Sequence, residues 1–179
     1  MTVNVRLASI ALLLALSPVF AEAQAPPKPG WVTDAKTGCK AWNDSPKPGE
    51  QMTWSGGCVN GLAEGNGTLQ WTVGGKTTSR YVGSYRAGKM NGRGVYSWAS
   101  GTRYEGEFVN DNFNGHGVMV WANGDRFDGL WKEDKANGQG TKTVADGRVY
   151  SGVWTNGCFR QGDRWATAGA TAKDCGFER

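Results

Sequence analysis

The stretch YVGSYRAGKMNGRGVYSWASGTR, residues 81–103, contains the plan of this chain. Residues 104–126, YEGEFVNDNFNGHGVMVWANGDR, and residues 127–149, FDGLWKEDKANGQGTKTVADGRV, repeat it at the same step of 23. Tyr81, Tyr104, Phe127 and Tyr150 open successive units; Gly83, Gly106, Gly129 and Gly152 follow, then Tyr85, Phe108, Trp131 and Trp154. Further along each unit come Gly92, Gly115 and Gly138, then Gly94, Gly117 and Gly140, and Gly101, Gly124 and Gly147 close it. An earlier, worn copy starts at Trp54, with Gly56, Cys58, Gly61, Gly65, Gly67, Trp71 and Gly74 in phase and four extra residues before Tyr81. The last unit is cut short after Gly157. Self-similarity at a fixed period is the mark of a repeat architecture.

Inside a unit the period is that of a strand. Ring, glycine and ring alternate through Tyr81, Gly83 and Tyr85, and the return stretch alternates through Gly94, Tyr96 and Trp98. Asn123-Gly124 and Asp146-Gly147 stand where the chain must reverse, and such pairs favour the type I′ turn of a two-residue hairpin. Each unit is therefore expected to be two strands and two turns, a hairpin unable to stand alone. Stacked, the units predict an all-β fold: an elongated single-layer antiparallel meander, rising about 10 Å per hairpin. Glycine leaves room for rings from the neighbouring rung to lie across the backbone, and a row of rings is the expected core. With 28 Gly and nine Trp in 179 residues, helices are disfavoured, since each interior Gly costs about 1 kcal/mol relative to Ala.

This pattern resembles the MORN repeat, Tyr-x-Gly-x-Trp/Tyr-x-x-Gly-x-x-x-Gly-x-Gly, which the unit from Tyr81 to Gly94 matches throughout. The next two copies carry Asp111 and Asp134 where Gly88 stands in the first. The resemblance covers Trp54 to about Cys158. Trp54-Ser-Gly-Gly-Cys58 and the closing Cys175-Gly-Phe177 also look like the ends of exported bacterial members. The resemblance implies a scaffold or binding module associated with protein assembly and with phospholipid contact. Relatives in which the repeats accompany a kinase or methyltransferase have an extra domain, for which no residues remain here.

The ends read differently from the repeats. Arg6, the apolar run Leu7 to Leu16 and the small residues Ala21-Glu22-Ala23 form a signal peptide, residues 1–23, cut after Ala23. The run is too short for a permanent span, and no cysteine near the cut suits a lipid anchor. The chain is thus expected to be periplasmic or secreted. Residues 24–53 form an N-terminal cap, 54–157 the ribbon (units 54–80, 81–103, 104–126, 127–149 and a partial 150–157), and 158–179 a C-terminal cap. Four cysteines suit an oxidising compartment. Of three possible pairings, the local one, Cys39–Cys58 and Cys158–Cys175, is what an elongated body permits. Zinc is the rival use, without a Cys-x-x-Cys. The bridges are read as staples on segments that cover the ribbon's two edges, with Trp31, Trp42, Trp165 and Phe177 packing on the end rungs.

Two features are candidates for binding. A single-layer sheet has no opposing layer, so some rings of its ring face are expected to meet a partner, a second copy or water; the alternative is that rings from adjacent rungs satisfy one another, and the two readings are compatible. That face comprises Tyr81, Tyr85, Tyr96, Trp98, Tyr104, Phe108, Trp121, Phe127, Trp131, Tyr150 and Trp154. On the opposite face, Arg80, Arg103 and Arg126 form a row to which an anionic lipid surface could bind, although acidic neighbours offset it. The chain's net charge of +4, from 20 basic and 16 acidic residues, is no nucleic-acid footprint.

Catalytic motifs are weak. His116, the only histidine, is read as a solvated turn residue in a column shared with Arg93 and Gln139. Glu105, Glu107, Asp125 and Asp128 are the carboxylates a glycan hydrolase would need, but Arg103 and Arg126 lie beside them, so cross-strand ion pairs are the plainer reading. Asn110 to Gly115 begins like a calcium loop, yet Trp121 stands where the bidentate Glu belongs. No phosphate loop, metal site or other cofactor motif is found. The sequence thus predicts a non-catalytic module engaging an envelope or extracellular protein, peptide or glycan, with self-association or acidic-phospholipid binding as alternatives and a small hydrolase last.

Overall fold

The computed structural model describes residues 27–177, so the signal-peptide reading of residues 1–23 lies outside the described residues. The N-terminal part holds β1 (Gly30–Thr33), β2 (Lys40–Asn43), β3 (Glu50–Trp54) and β4 (Gly57–Val59). The ribbon follows as β5 (Leu62–Val73), β6 (Lys76–Arg86), β7 (Lys89–Trp98), β8 (Arg103–Val109), β9 (Asn112–Val120), β10 (Arg126–Lys132), β11 (Lys135–Thr143) and β12 (Val149–Trp154). A short hairpin, β13 (Cys158–Gln161) and β14 (Arg164–Thr167), closes the chain. Among the described residues there is no helix, and from β5 to β12 each strand pairs antiparallel with the next.

The repeat columns become cross-strand rows. One row runs Leu69, Tyr81, Tyr96, Tyr104, Met119, Phe127, Lys142 and Tyr150. Beside it lies an unbroken row of glycine: Gly67, Gly83, Gly94, Gly106, Gly117, Gly129, Gly140 and Gly152. The rings lie down on these glycines. A Cβ on Gly83 would sit 2.6 Å from the Tyr81 ring, and one on Gly140 2.5 Å from that of Phe127. Each ring thus covers its own hairpin's glycines, rather than those of a neighbouring rung as the spacing suggested. It then meets the second ring of the following unit edge-on: Tyr81–Phe108 at 5.1 Å, Tyr104–Trp131 at 5.6 Å and Phe127–Trp154 at 5.0 Å between centroids. That is the geometry aromatic quadrupoles favour.

The turns are of two kinds, and the Asn123-Gly124 pair expected to form a two-residue I′ turn belongs to the second. The type I′ pairs are Asn60-Gly61, Gly74-Gly75, Ala87-Gly88, Asn110-Asp111, Glu133-Asp134 and Asn156-Gly157, each with both φ values positive. Asn123-Gly124 is instead the end of a three-residue loop. Gly124 N–H donates to the Trp121 carbonyl (2.9 Å), and only Gly124 has a positive φ, a type I turn followed by a left-handed residue. Gly92, Gly115 and Gly138 are not turn residues either. They lie within strands where the register slips, next to the shifts at Gly83/Tyr85, Gly106/Glu107 and Gly129/Trp131.

Most of the I′ turns stack on one another. Gly88 N–H donates to the Ala63 carbonyl (2.9 Å), Asp111 to Met90 (3.1 Å), Asp134 to Phe113 (3.2 Å) and Gly157 to Ala136 (2.8 Å). This ladder holds one end of the hairpins in register. β2 lies along it, with Lys40 N–H on the Gly61 carbonyl and Trp42 N–H on that of Gly88, each at 2.9 Å.

The caps finish the two ends. At the first, the Asp34 carboxylate takes the Trp54 N–H that β3 turns away from β5 (3.0 Å). Burial pushes that carboxyl up, but the N–H groups of Lys36 and Trp54 and the Thr37 hydroxyl outweigh it and hold it low. At the other end Phe159 packs 5.3 Å from Trp154 and 6.0 Å from Tyr150. Phe159 therefore does the work assigned to Trp165 and Phe177, which instead pair with each other at 5.0 Å, Trp165 remaining exposed. Trp31, also exposed, packs edge-on against Trp42 and over Gly88.

Cys39 pairs with Cys58 and Cys158 with Cys175, as the local pairing predicted, each with Cα atoms 5.7 Å apart. Each closes a loop of fewer than twenty residues, with separations of 19 and 17. Changing both Cys158 and Cys175 to serine is expected to cost about 3 kcal/mol on the chain-entropy model. Urea unfolding of the variant and the parent under non-reducing conditions measures this.

Candidate functional site

The structure sorts the eleven predicted contact rings into two groups. Tyr81, Tyr85, Tyr104, Phe108, Phe127, Trp131, Tyr150 and Trp154 are buried, several of them completely. They are core, because the glycine row lets each ring lie flat and the next unit's ring closes over it. Tyr96, Trp98 and Trp121 are half-buried, and Phe113, which the sequence reading passed over, joins them. Phe113 stacks on Tyr104 at 3.9 Å with the planes 21° apart, and Trp98 lies 6.2 Å from it. Tyr96 sits 4.5 Å from Trp98 and gives its hydroxyl hydrogen to Ser79 Oγ (2.8 Å). The accessible part of the ring face is this strip, supplied by the return strands β7 and β9 and by Trp121 just past the end of β9.

The strip has charged ends. Toward the C-terminal cap, Lys142 stands in the first row where earlier return strands carry Leu69, Tyr96 and Met119. Its Nζ lies 5.0 Å over Trp121 and donates to the Thr167 carbonyl at 3.0 Å. It also pairs with the Asp125 carboxylate at 3.2 Å, both side chains being largely buried. Burial raises the Asp125 carboxyl, but the Ala145 N–H and Lys142 prevail and lower it.

Toward the N-terminal cap the acids gather unpaired. Asp111 and Asp134 occupy the left-handed turn position, φ +73 and +63. The Oδ1 of Asp111 accepts the Met90 N–H at 2.7 Å, and that of Asp134 the Phe113 N–H at 2.7 Å. Burial pushes the Asp111 carboxyl up to about 6; the Met90 N–H and Lys89 oppose this, while Asp44 and Asp134 reinforce it. Asp134 is raised as well, first by burial and then by Asp44, against the pull of the Phe113 N–H.

The sign of the stability effect follows. A carboxyl raised on folding binds its proton more tightly in the native state, so its contribution to stability falls as pH rises from about 4 to about 6. At neutral pH its charge is a standing cost. Asp111→Asn keeps an acceptor for Met90 and tolerates the left-handed backbone. The variant is expected to be more stable than the parent by about 2 kcal/mol at pH 7.5, with the gap closing toward pH 4. Urea midpoints at the two pH values read it out.

The arginine row lies on the opposite face. Arg103 pairs with Glu105 at 2.6 Å and Arg126 with Asp128 at 2.7 Å, while Arg80 reaches the Thr68 hydroxyl at 3.4 Å. These ion pairs join neighbours two apart on one strand and are not the cross-strand pairs expected. His116 lies on β9 rather than in a turn, exposed, with Nε2 2.9 Å from Asp128. The hydrolase carboxylates do not converge. Glu105 and Asp128 flank Val118 on this outer face, whereas Asp125 is bound to Lys142 under the ring face. Glu107 is folded over Gly115.

Among the described residues no group of three or more His, Cys, Asp or Glu is arranged to hold a metal ion, and no helix is long and apolar enough to cross a membrane. The family model for the MORN repeat matches residues 54–76, 81–103, 104–126 and 127–147. No curated protein matches the chain.

Proposed function

The chain belongs to the MORN-repeat family, whose repeats commonly serve as binding or scaffold modules, and on that premise we propose that it is a non-catalytic module holding a protein, peptide or glycan against its ring face. The observation that carries this reading is the strip of half-open rings, Tyr96, Trp98, Phe113 and Trp121. Large aromatic side chains left partly wet on one face are the usual anchors of recognition, since they bury much area at little entropic cost. The two disulfides fit an oxidising compartment, so the place of action is the cell envelope or the outside of the cell.

The acidic-lipid alternative has less support. Two of the three row arginines are already engaged by carboxylates on the same strand, which offsets the charge a headgroup would seek. The face reading is tested by a photo-crosslinking residue placed at position 98 on the ring face or at position 82, an exposed valine on the outer face. A defined partner is expected to be trapped from 98 and not from 82. Equal trapping from both, or none from 98, contradicts the proposal.

A further inference from the structure

Where the N-terminal cap meets the ladder of I′ turns, a cavity of about 320 Å³ opens, with Trp42, Trp71, Tyr85, Tyr96 and Phe113 among its walls. Three carboxylates from separate segments line it: Asp44 from the loop after β2, and Asp111 and Asp134 from successive turns. One oxygen of Asp111 holds the Met90 N–H, while the other, Oδ2, is buried without any hydrogen-bond partner. Its charge is therefore only half answered. Lys89 places its Nζ 5.2 Å over the Trp42 ring and acts on Asp111 through its field. Glu50, from β3, adds a fourth negative group on the side of Tyr96. A chain of net charge +4 thus concentrates acid at one aromatic-walled place.

We propose that this cavity binds the basic side chain of a peptide or protein partner, a lysine ammonium or an arginine guanidinium. The inference rests on the reading of the ring face as the contact surface and names the chemistry at its N-terminal end. Ring faces attract cations and also shed water readily, so they hold both the charged head and the methylene stem of such a side chain. Lys89 over Trp42 shows that a cation is at home against this wall. The carboxylates supply what the rings lack, a full opposite charge in a partly desolvated setting, where it is weakly screened. A neutral sugar would stack on the same rings but leave Asp111 uncompensated. An acidic group would be repelled.

The test uses the purified protein and three peptides: acetyl-Ala-Arg-Ala-amide, its lysine counterpart, and the citrulline counterpart, which keeps the shape of arginine without its charge. The readout is the indole N–H resonances of Trp42 and Trp71. The arginine and lysine peptides are expected to shift both saturably, and the citrulline peptide to bind at least about tenfold more weakly. Asp111→Asn combined with Asp134→Asn should weaken the arginine peptide about tenfold. Asp44→Asn, at an exposed residue that accepts the Trp42 indole N–H and is therefore read on Trp71 alone, should weaken it measurably, and Asp128→Asn on the outer face should not. Equal binding of citrulline and arginine, or indifference to the Asp44 and Asp111/Asp134 changes, overturns the proposal. If the arginine peptide fails while crosslinks at position 98 still form, only this inference falls. If both fail, the reading of the face falls with it.

Discussion

Replacing Gly117 with alanine is expected to destabilise the protein by about 3 kcal/mol, a large loss for one methyl group. A Cβ there would lie 2.6 Å from Cε2 of the Tyr104 ring, well inside van der Waals contact. The ring has no room to retreat. It is fully buried, its hydroxyl donates to the Glu107 carbonyl at 3.1 Å, and Phe113 stacks on its other side at 3.9 Å. Gly117 does not lie in the left-handed region, so the cost is steric rather than a matter of backbone conformation. Gly94 under Tyr81 and Gly140 under Phe127 repeat the arrangement, and alanine at either should cost a similar amount. Denaturant midpoints with an unchanged slope are the measurement.

The second large effect is Trp131→Ala, expected to cost about 4 kcal/mol. Trp131 is 3% exposed and meets Tyr104, Phe113 and Phe127 edge-on. Its indole N–H donates to the Gly117 carbonyl at 3.1 Å, and Trp154 makes the same bond to Gly140 one unit later. Removing the ring opens a cavity between two hairpins that the rigid sheet cannot close. Trp131→Phe retains most of the packing and loses the bond, so about 1–2 kcal/mol is expected there. Unfolding the two variants side by side separates ring from hydrogen bond.

The hairpin architecture was legible because it is periodic. Tyr81, Gly83 and Tyr85, returning every 23 residues, give both the strand period and the stacking. Turn type was legible only in part. Asn-Gly is the local signal for I′, and Asn60-Gly61 and Asn156-Gly157 follow it, yet Asn123-Gly124 belongs to a three-residue loop. Two I′ positions in the units between fell to Asn110-Asp111 and Glu133-Asp134. Their strained backbone is offset by bonds from Met90 and Phe113 to the Asp side chains, across to the preceding hairpin. No local reading contains those bonds.

The same distance hid the acidic cavity. The change from Gly88 to Asp111 and Asp134 in one column was visible as a departure, and it is the signal that marks the site. Its third carboxylate, Asp44, comes from a cap outside the repeat, so no period places it. Which rings stay wet was not legible for a related reason. A single sheet is compatible both with open rings and with rings of adjacent rungs covering one another; the glycine row lets Tyr81, Tyr104 and Phe127 recline until the next unit covers them. The openness that remains comes from Tyr96, Trp98 and Trp121, together with Phe113.

That rings resting on glycines hold the hairpins together is tested most directly by a double-mutant cycle between Gly117→Ala and Tyr104→Ala. The ring and the added methyl compete for one space, so the two costs should fall short of adding by about 2 kcal/mol or more. Alanine at position 117 should cost almost nothing once Tyr104 is gone. Strict additivity would mean that the ring does not lie on that glycine, and the packing described for every unit would be wrong.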